Sequence, residues 1–296
     1  MAFEVVNTDG IRHMAEDMEP NSVDMVIFSP PFPSLYAYTD SESDIGNVNT
    51  VGPEAKIHLS FLFRSLYRVL KPGRVAIVHV CQIPRMKRSG GVGLCDFRGL
   101  NIRIGERAGL VYEYDWSVRK NPQAQAIRTR SRELQFAGLE SDRSATRGTI
   151  QDYLIKFRKP GENKTPIRSK GQVSRNDWIA WAEGCWHDII ETDTLNTAAA
   201  KSDDDTRHIC PLQLEVIRRC VLLFSNPDEL VFSPCAGIGS EGFMAIGGKS
   251  PKTGKRIHDP RNFYGCELKT EYYEQALRNL TIAESQCEED IQASLF

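Results

Sequence analysis

The sequence predicts an α/β protein built on a mostly parallel sheet with helices over both faces. Three observations lead there. Seven strand-like runs, at Phe3–Asn7, Val23–Phe28, Arg74–Val80, Val111–Val118, Asp152–Arg158, Leu230–Phe232 and Asn262–Cys266, mostly alternate with helical stretches. Val23–Phe28 is an almost continuous apolar run, as a strand buried on both faces requires. In Glu54–Leu70, Ile57, Phe61, Leu62, Leu66, Val69 and Leu70 recur at three- and four-residue steps, the period of an amphipathic helix.

The remaining elements follow from local signals. Lys71-Pro72-Gly73 reads as a turn that stops the first long helix. Pro211–Phe224 and Thr270–Ile282 share the helical period. No clear amphipathic helix separates 111–118 from 152–158, so those two strands are expected to pair antiparallel. The Arg-rich linker 119–151 is expected to lie over the strand ends as a functional loop. Residues 160–207 differ in composition, with Pro160-Gly161, Pro166, Gly171, three tryptophans and the acidic run Asp203–Asp205. They read as a small separate module or lid.

Composition bounds the function classes. At 296 residues the chain can bury one substantial core plus a smaller module. Its 41% hydrophobic and 26% charged residues are those of an ordinary globular protein. No apolar run approaches the roughly 20 residues of a membrane helix. The opening Met-Ala-Phe-Glu-Val-Val has no secretion-signal pattern, which leads to a cytoplasmic expectation. Eight cysteines without a Cys-x-x-Cys pair argue against a zinc site or a disulfide framework. The net charge of −2 hides an asymmetry: residues 85–175 hold 20 Lys/Arg against 9 Asp/Glu. A basic middle in an acidic frame suggests a face that meets a polyanion; the bland reading is an unevenly charged surface.

Gly237-x-Gly239-x-x-Gly242 follows the strand 230–232 and opens a helical stretch. Glycines there permit a tight turn and close backbone approach to a ligand. Glu267, at the tip of the next strand, is placed to accept hydrogen bonds from ribose hydroxyls. Alone, this pattern fits a nicotinamide, flavin or S-adenosylmethionine site equally. Only one further strand and helix fit after it, so the rest of the sheet must come from the N-terminal part.

Ser29-Pro30-Pro31-Phe32 stands at the carboxyl end of the apolar strand 23–28, where open α/β sheets bind ligands. The prolines fix φ and remove two backbone donors, leaving carbonyls free to accept. Ser29 adds a hydroxyl and Phe32 a flat ring. Such a tip suits an exocyclic amine, whose lone pair is delocalised into its ring until acceptors engage the N–H groups. The catalysis is by positioning and preorganised electrostatics.

Together these residues resemble the S-adenosylmethionine-dependent DNA amino-methyltransferases in the circularly permuted beta-class arrangement. Ser29-Pro30-Pro31-Phe32 matches the family's catalytic tetrapeptide, and Ser29 also borders its cofactor. Asn7-Thr8-Asp9 resembles the preceding segment, whose acid, here Asp9, contacts the cofactor adenine. Arg68–Gly73, Trp116–Pro122 and Tyr153–Lys159 resemble later segments in the family's order. Arg207–Gln213 matches the motif that helps hold the methionine moiety, with His208 and Pro211. Phe232–Ser240 resembles the cofactor loop through Phe232, Ser233, Pro234, Ala236, Gly237, Gly239 and Ser240. It departs from the family at Ser233, usually Asp, and Cys235, usually Phe. Glu267 matches the ribose-binding acid.

The resemblance implies a seven-stranded class I methyltransferase sheet, with S-adenosylmethionine as cofactor and no metal. It implies a catalytic half at 1–159, a target-recognition region at 160–207 and a cofactor-binding half at 208–296. Double-stranded DNA becomes the expected partner, and homodimerisation is common in the family. Arg85, Lys87 and Arg88, beside the flexible Gly90-Gly91, are candidate phosphate contacts, with Arg119, Lys120, Arg128, Arg130 and Arg132 from the 119–151 loop. Arg168, Lys170, Gln172, Arg175 and Asn176 are candidates for reading bases. Trp178, Trp181 and Trp186 read as the small module's core. The target base must be flipped out to reach Phe32. Ser at position 29 tilts the expectation towards cytosine N4 over adenine N6. The alternatives are a nicotinamide-dependent oxidoreductase and a non-catalytic DNA-binding protein on the same fold.

Overall fold

In a computed structural model, residues 2–33, 51–85, 93–129, 139–140, 142–168, 171–196 and 211–294 are described. The strands in chain order are β1 (Phe3–Asn7), β2 (Val23–Phe28), β3 (Leu70–Cys81), β4 (Ile83–Pro84), β5 (Leu94–Cys95), β6 (Val111–Val118), β7 (Asp152–Arg158), β8 (Cys185–Trp186), β9 (Leu230–Ser233) and β10 (Asn262–Glu267). The helices are α1 (Gly10–Glu16), α2 (Pro53–Val69), α3 (Phe97–Arg107), α4 (Pro122–Thr129), α5 (Arg175–Trp181), α6 (Leu214–Phe224), α7 (Ser240–Ala245) and α8 (Thr270–Ser294).

One sheet takes the order β1–β10–β9–β2–β3–β7–β6–β8, and β4 and β5 form a separate two-stranded ribbon. The first five strands run parallel. β7 is antiparallel to both β3 and β6, the pairing expected, but the linker between β6 and β7 is not helix-free: it holds the short α4. All seven strands read from the sequence are present. The sheet nevertheless has eight strands. Cys185–Trp186 adds to the outer edge of β6, in register with Ser117 and Val118. Two residues carry no periodic pattern, yet they cap an edge that would otherwise leave its N–H and C=O groups unpaired.

Alternation divides each central strand between two cores. Met25, Ile27, Val75, Ile77 and Leu154 pack with α6, α7 and α8 on one face. Val26, Phe28, Ala76, Val78 and Ile155 pack with α1, α2 and α3 on the other. Lys71-Pro72-Gly73 is not a turn but an irregular start to β3: Val23 pairs with Leu70, then Met25 with Val75. The left-handed Gly73 (φ 73°) takes up the extra residues, and its N–H donates to Lys159 O. At this amino end, buried Asp24 accepts from Lys71, Arg74 and the Leu230 N–H, sealing the sheet with charge.

The tryptophans of the 160–207 segment do not form a core of their own. Trp181 and Trp186 are buried in the main core beneath α6, where both rings lie under the Arg219 guanidinium. Trp178 is 60% exposed.

Candidate active site

β9 and β2 lie side by side, Met25 opposite Val231 and Val26 opposite Phe232. From β9 the chain passes through α7 to β10 on one side; from β2 it passes through α2 to β3 on the other. This is the topological switch point, where an open sheet leaves a crevice at its carboxyl ends. Ser29–Phe32 and Ser233–Gly239 leave adjacent strand tips, which the sheet spacing holds about 5 Å apart. The two sequence motifs thus leave the sheet side by side.

The glycine loop is fixed by backbone geometry. Gly237 (φ 55°) and Gly239 (φ 83°) both adopt left-handed conformations that L side chains rarely take. Ala236 N–H donates to Cys266 O, and Gly239 N–H to Ala236 O. The Glu267 carboxylate accepts from the Gly237 N–H at 2.8 Å and from the Lys269 N–H at 2.9 Å. Asn279 donates to Ile238 O from α8. Asp9 caps α1 by accepting from the Ile11 N–H, and Gly10 packs directly on the Pro234 carbonyl. Asp9 and the loop therefore meet despite lying at opposite ends of the chain.

The S-adenosylmethionine that the resemblance implies fits this chemistry. Ser233 Oγ, Ser240 Oγ and Gln213 Oε1 are buried at this loop and the head of α6 without hydrogen-bond partners. Buried polar atoms left unpaired cost free energy, so three at one strand tip and its neighbouring helix are ready-made ligand contacts. The Glu267 carboxylate, an acceptor-only group, has the chemistry that ribose hydroxyls require. Pro211 is half-buried just before α6, while His208 lies outside the described residues. Phe232 is fully buried and stacks on Tyr264 within the core, so its ring is structural.

At the tetrapeptide, the sheet assembles a polar row that the sequence reading missed. Ser29 continues the alternation of Met25 and Ile27, and its neighbour on β3 is His79. Their side chains meet at 2.8 Å, Ser29 Oγ to His79 Nδ1. His79 Nε2 stands 3.1 Å from Asp152 Oδ2, close but not aligned as a hydrogen bond. Lys120 Nζ pairs with the same oxygen at 2.5 Å. Burial pushes the Asp152 carboxyl up, but His79 and Lys120 outweigh it and hold it down at about 2. One signal was available: a histidine inside the run Ile77-Val78-His79-Val80 has no place in a dry strand without a partner. Phe32 is half-buried, with its ring tilted against Phe97 at 5.6 Å between centroids.

The basic residues divide. Arg85, Arg119 and Arg175 are exposed, as is Asn176. Lys120 turns inward, its side chain only 9% exposed, and spends its charge on Asp152 rather than on solvent. Arg168 is exposed but at the wrong end of the molecule. Its backbone N–H donates to Asn226, which precedes β9, so it sits at the amino ends of the strands, away from the crevice. Gln172 is half-buried. Lys87, Arg88, Arg130, Arg132 and Lys170 lie outside the described residues, as does the side chain of Arg128 on α4. Among the described residues, no cluster of His, Cys, Asp and Glu is arranged to hold a metal, and no helix is long and apolar enough to cross a membrane.

A family model described as DNA methylase, covering N6 and N4 methyltransferases, matches residues 23–278. Among solved structures, a protein described as a DNA modification methylase from Thermus thermophilus superposes with a TM-score of 0.67 at 19% identity, covering 95% of each chain. The same protein complexed with S-adenosyl-L-methionine gives 0.66 at 18% identity, covering 95% of this chain and 94% of that one. PvuII DNA methyltransferase, described as cytosine-N4-specific, gives 0.65 at 16% identity, covering 98% of this chain and 91% of its own. At these identities the likeness is one of fold. No curated protein matches the chain.

Proposed function

The chain belongs to the DNA methylase family of N6/N4 methyltransferases, and from that premise we propose that it methylates the N4 amine of a cytosine rotated out of duplex DNA. The observation that carries this reading is the parallel pairing of β2 with β9, which sets the amine-binding tip beside the cofactor loop. S-adenosylmethionine supplies, when bound, an electrophilic methyl group on a sulfonium sulfur. Asp9, Gln213, Ser233, Ser240, Glu267 and the backbone of Pro234–Gly239 are the groups that would hold it.

The protein's own part is to hold the amine and make its lone pair available. Ser29 Oγ and the carbonyls of the Ser29–Pro31 segment accept from the amine N–H groups, which favours a more pyramidal nitrogen. Pro30 and Pro31 have no N–H to compete for those carbonyls. Phe32 stacks on the base and limits its tilt. The resemblance ties Ser at position 29 to cytosine; Asp there would favour adenine.

Arg85 and Arg119, near the carboxyl ends of β3 and β6, supply phosphate contacts on the crevice side. Target reading falls to the part of 160–207 that borders β6 and β8, where Arg175, Asn176 and Trp178 are exposed. The halves 1–159 and 208–296 then form one catalytic core around that segment. Calorimetry with S-adenosylmethionine and with NADH tests the assignment of the loop. Binding of the first is expected; binding of NADH alone would overturn it.

A further inference from the structure

We propose that His79, held by Asp152 and Lys120, takes up through Ser29 the proton that the target amine must lose. This rests on the reading of Ser29-Pro30-Pro31-Phe32 as the amine-binding tip. Four adjacent strands contribute: Ser29 follows β2, His79 lies in β3, Asp152 opens β7 and Lys120 follows β6. Alternation puts all four on one face. Ile27 and Ile77 are paired and share a core, so Ser29 and His79 extend that row by two residues each. Leu154 faces the same core two residues from Asp152, as does Val118 two residues from Lys120. The row is nearly dry, with side-chain exposures of 10%, 13% and 9% for His79, Asp152 and Lys120.

Charge sets the direction of the relay. An ionised carboxylate at Nε2 favours the tautomer with its proton there, leaving Nδ1 to accept from the Ser29 hydroxyl. The Ser29 oxygen then faces the amine with its lone pairs. As the amine nitrogen bonds to the methyl carbon, the carbon–sulfur bond breaks and its electron pair stays on sulfur. The nitrogen is left positively charged with one proton too many. That N–H bond breaks, the proton passes to Ser29 Oγ, and the serine's own proton moves to His79 Nδ1. The products are the methylated amine, a neutral sulfide and an imidazolium beside Asp152. Lys120 neutralises Asp152 in the resting state, and after the transfer the imidazolium releases its proton to water. His79 is thus a positioning residue acting through Ser29, which alone touches the substrate.

The test compares wild type with His79→Gln and Asp152→Asn, in single-turnover methyl transfer to duplex DNA across pH 5.5–8.5. Nitrogen-15 NMR of the histidines is recorded on the free protein. The wild-type rate should fall about tenfold per pH unit on the acidic side, where a single imidazole becomes protonated. That limb should vanish in H79Q, with the rate at pH 8 reduced and S-adenosylmethionine affinity unchanged. The NMR spectrum should show a Nδ1 acceptor whose signal shifts in Ser29→Ala. If H79Q does not fold, D152N must reduce the rate and move the limb. A limb that persists in H79Q, no limb in wild type, or a Nδ1–H tautomer overturns the relay. Wild type that binds the cofactor but transfers no methyl to DNA instead overturns the reading beneath it.

Discussion

Gly10 and Pro234 touch across the crevice floor: a Cβ at position 10 would stand 2.1 Å from the Pro234 carbonyl oxygen. Neither backbone can yield easily, because Asp9 caps α1 from one side and Ala236 is tied to Cys266 on the other. Gly10→Ala should therefore destabilise the fold by about 1–3 kcal/mol through overpacking. It should also weaken S-adenosylmethionine binding, since the loop must shift. Urea denaturation and calorimetry read the two effects, and unchanged values for both would refute the close approach.

Glu267 tests the loop from its other end. A glutamine keeps one acceptor oxygen but turns an NH2 group towards a second backbone donor. One of the Gly237 and Lys269 N–H groups then loses its partner. Glu267→Gln should lower cofactor affinity about tenfold or more. Calorimetry returning wild-type affinity would show that the carboxylate holds neither loop nor ligand.

Phe32→Ala removes the ring that stacks on the flipped base. Stacking of a base on an aromatic side chain is worth about 1–3 kcal/mol. Methyl transfer should fall roughly ten- to hundredfold while cofactor affinity holds. Rapid turnover in this variant would put the base elsewhere.

Arg119→Ala should weaken binding to every DNA sequence alike and reduce the slope of log affinity against log salt by about one. Fluorescence anisotropy over a salt series gives that slope. An altered site preference with an unchanged slope would move Arg119 from the phosphates to a base edge.

Burial pushes the Glu241 carboxyl in α7 up to about 8, and nearby Glu267 adds to the shift. The folded chain therefore keeps this proton where the unfolded chain has lost it. From the ordinary carboxyl range up to about pH 8, this group makes stability fall as pH rises, by about 1.4 kcal/mol per unit at most. Glu241→Gln should remove that slope and be more stable than wild type near pH 8. Parallel urea titrations from pH 5 to 8 decide it; equal slopes would show that Glu241 titrates normally.

The parts of this molecule that were legible in sequence are those with repeating physics. β2 and the core of β3 are apolar because both faces are buried, and α2 shows its helical period over 17 residues. Ile57 and Phe61, read as part of its apolar face, are nevertheless exposed, while Leu59 and Phe63 are buried. The glycine loop shows because only glycine tolerates its left-handed backbone. What escaped lacked such repetition. β8 is two residues long, and Lys71-Pro72-Gly73 carries turn chemistry inside a strand irregularity. Arg168 looked like its neighbours in charge, but the chain carries it to the far end of the sheet. The row from Ser29 to Lys120 depends on strand order and register, which a single sequence does not display.

The decisive measurement is mass spectrometry of nucleosides from duplex DNA incubated with the protein and S-adenosylmethionine carrying an isotopically labelled methyl group. The expected product is labelled N4-methylcytosine. Labelled N6-methyladenine would reverse the choice of base while keeping the site. DNA free of any labelled exocyclic amine, from protein that binds the cofactor, would contradict the claim that the two strand tips form one methyl-transfer site.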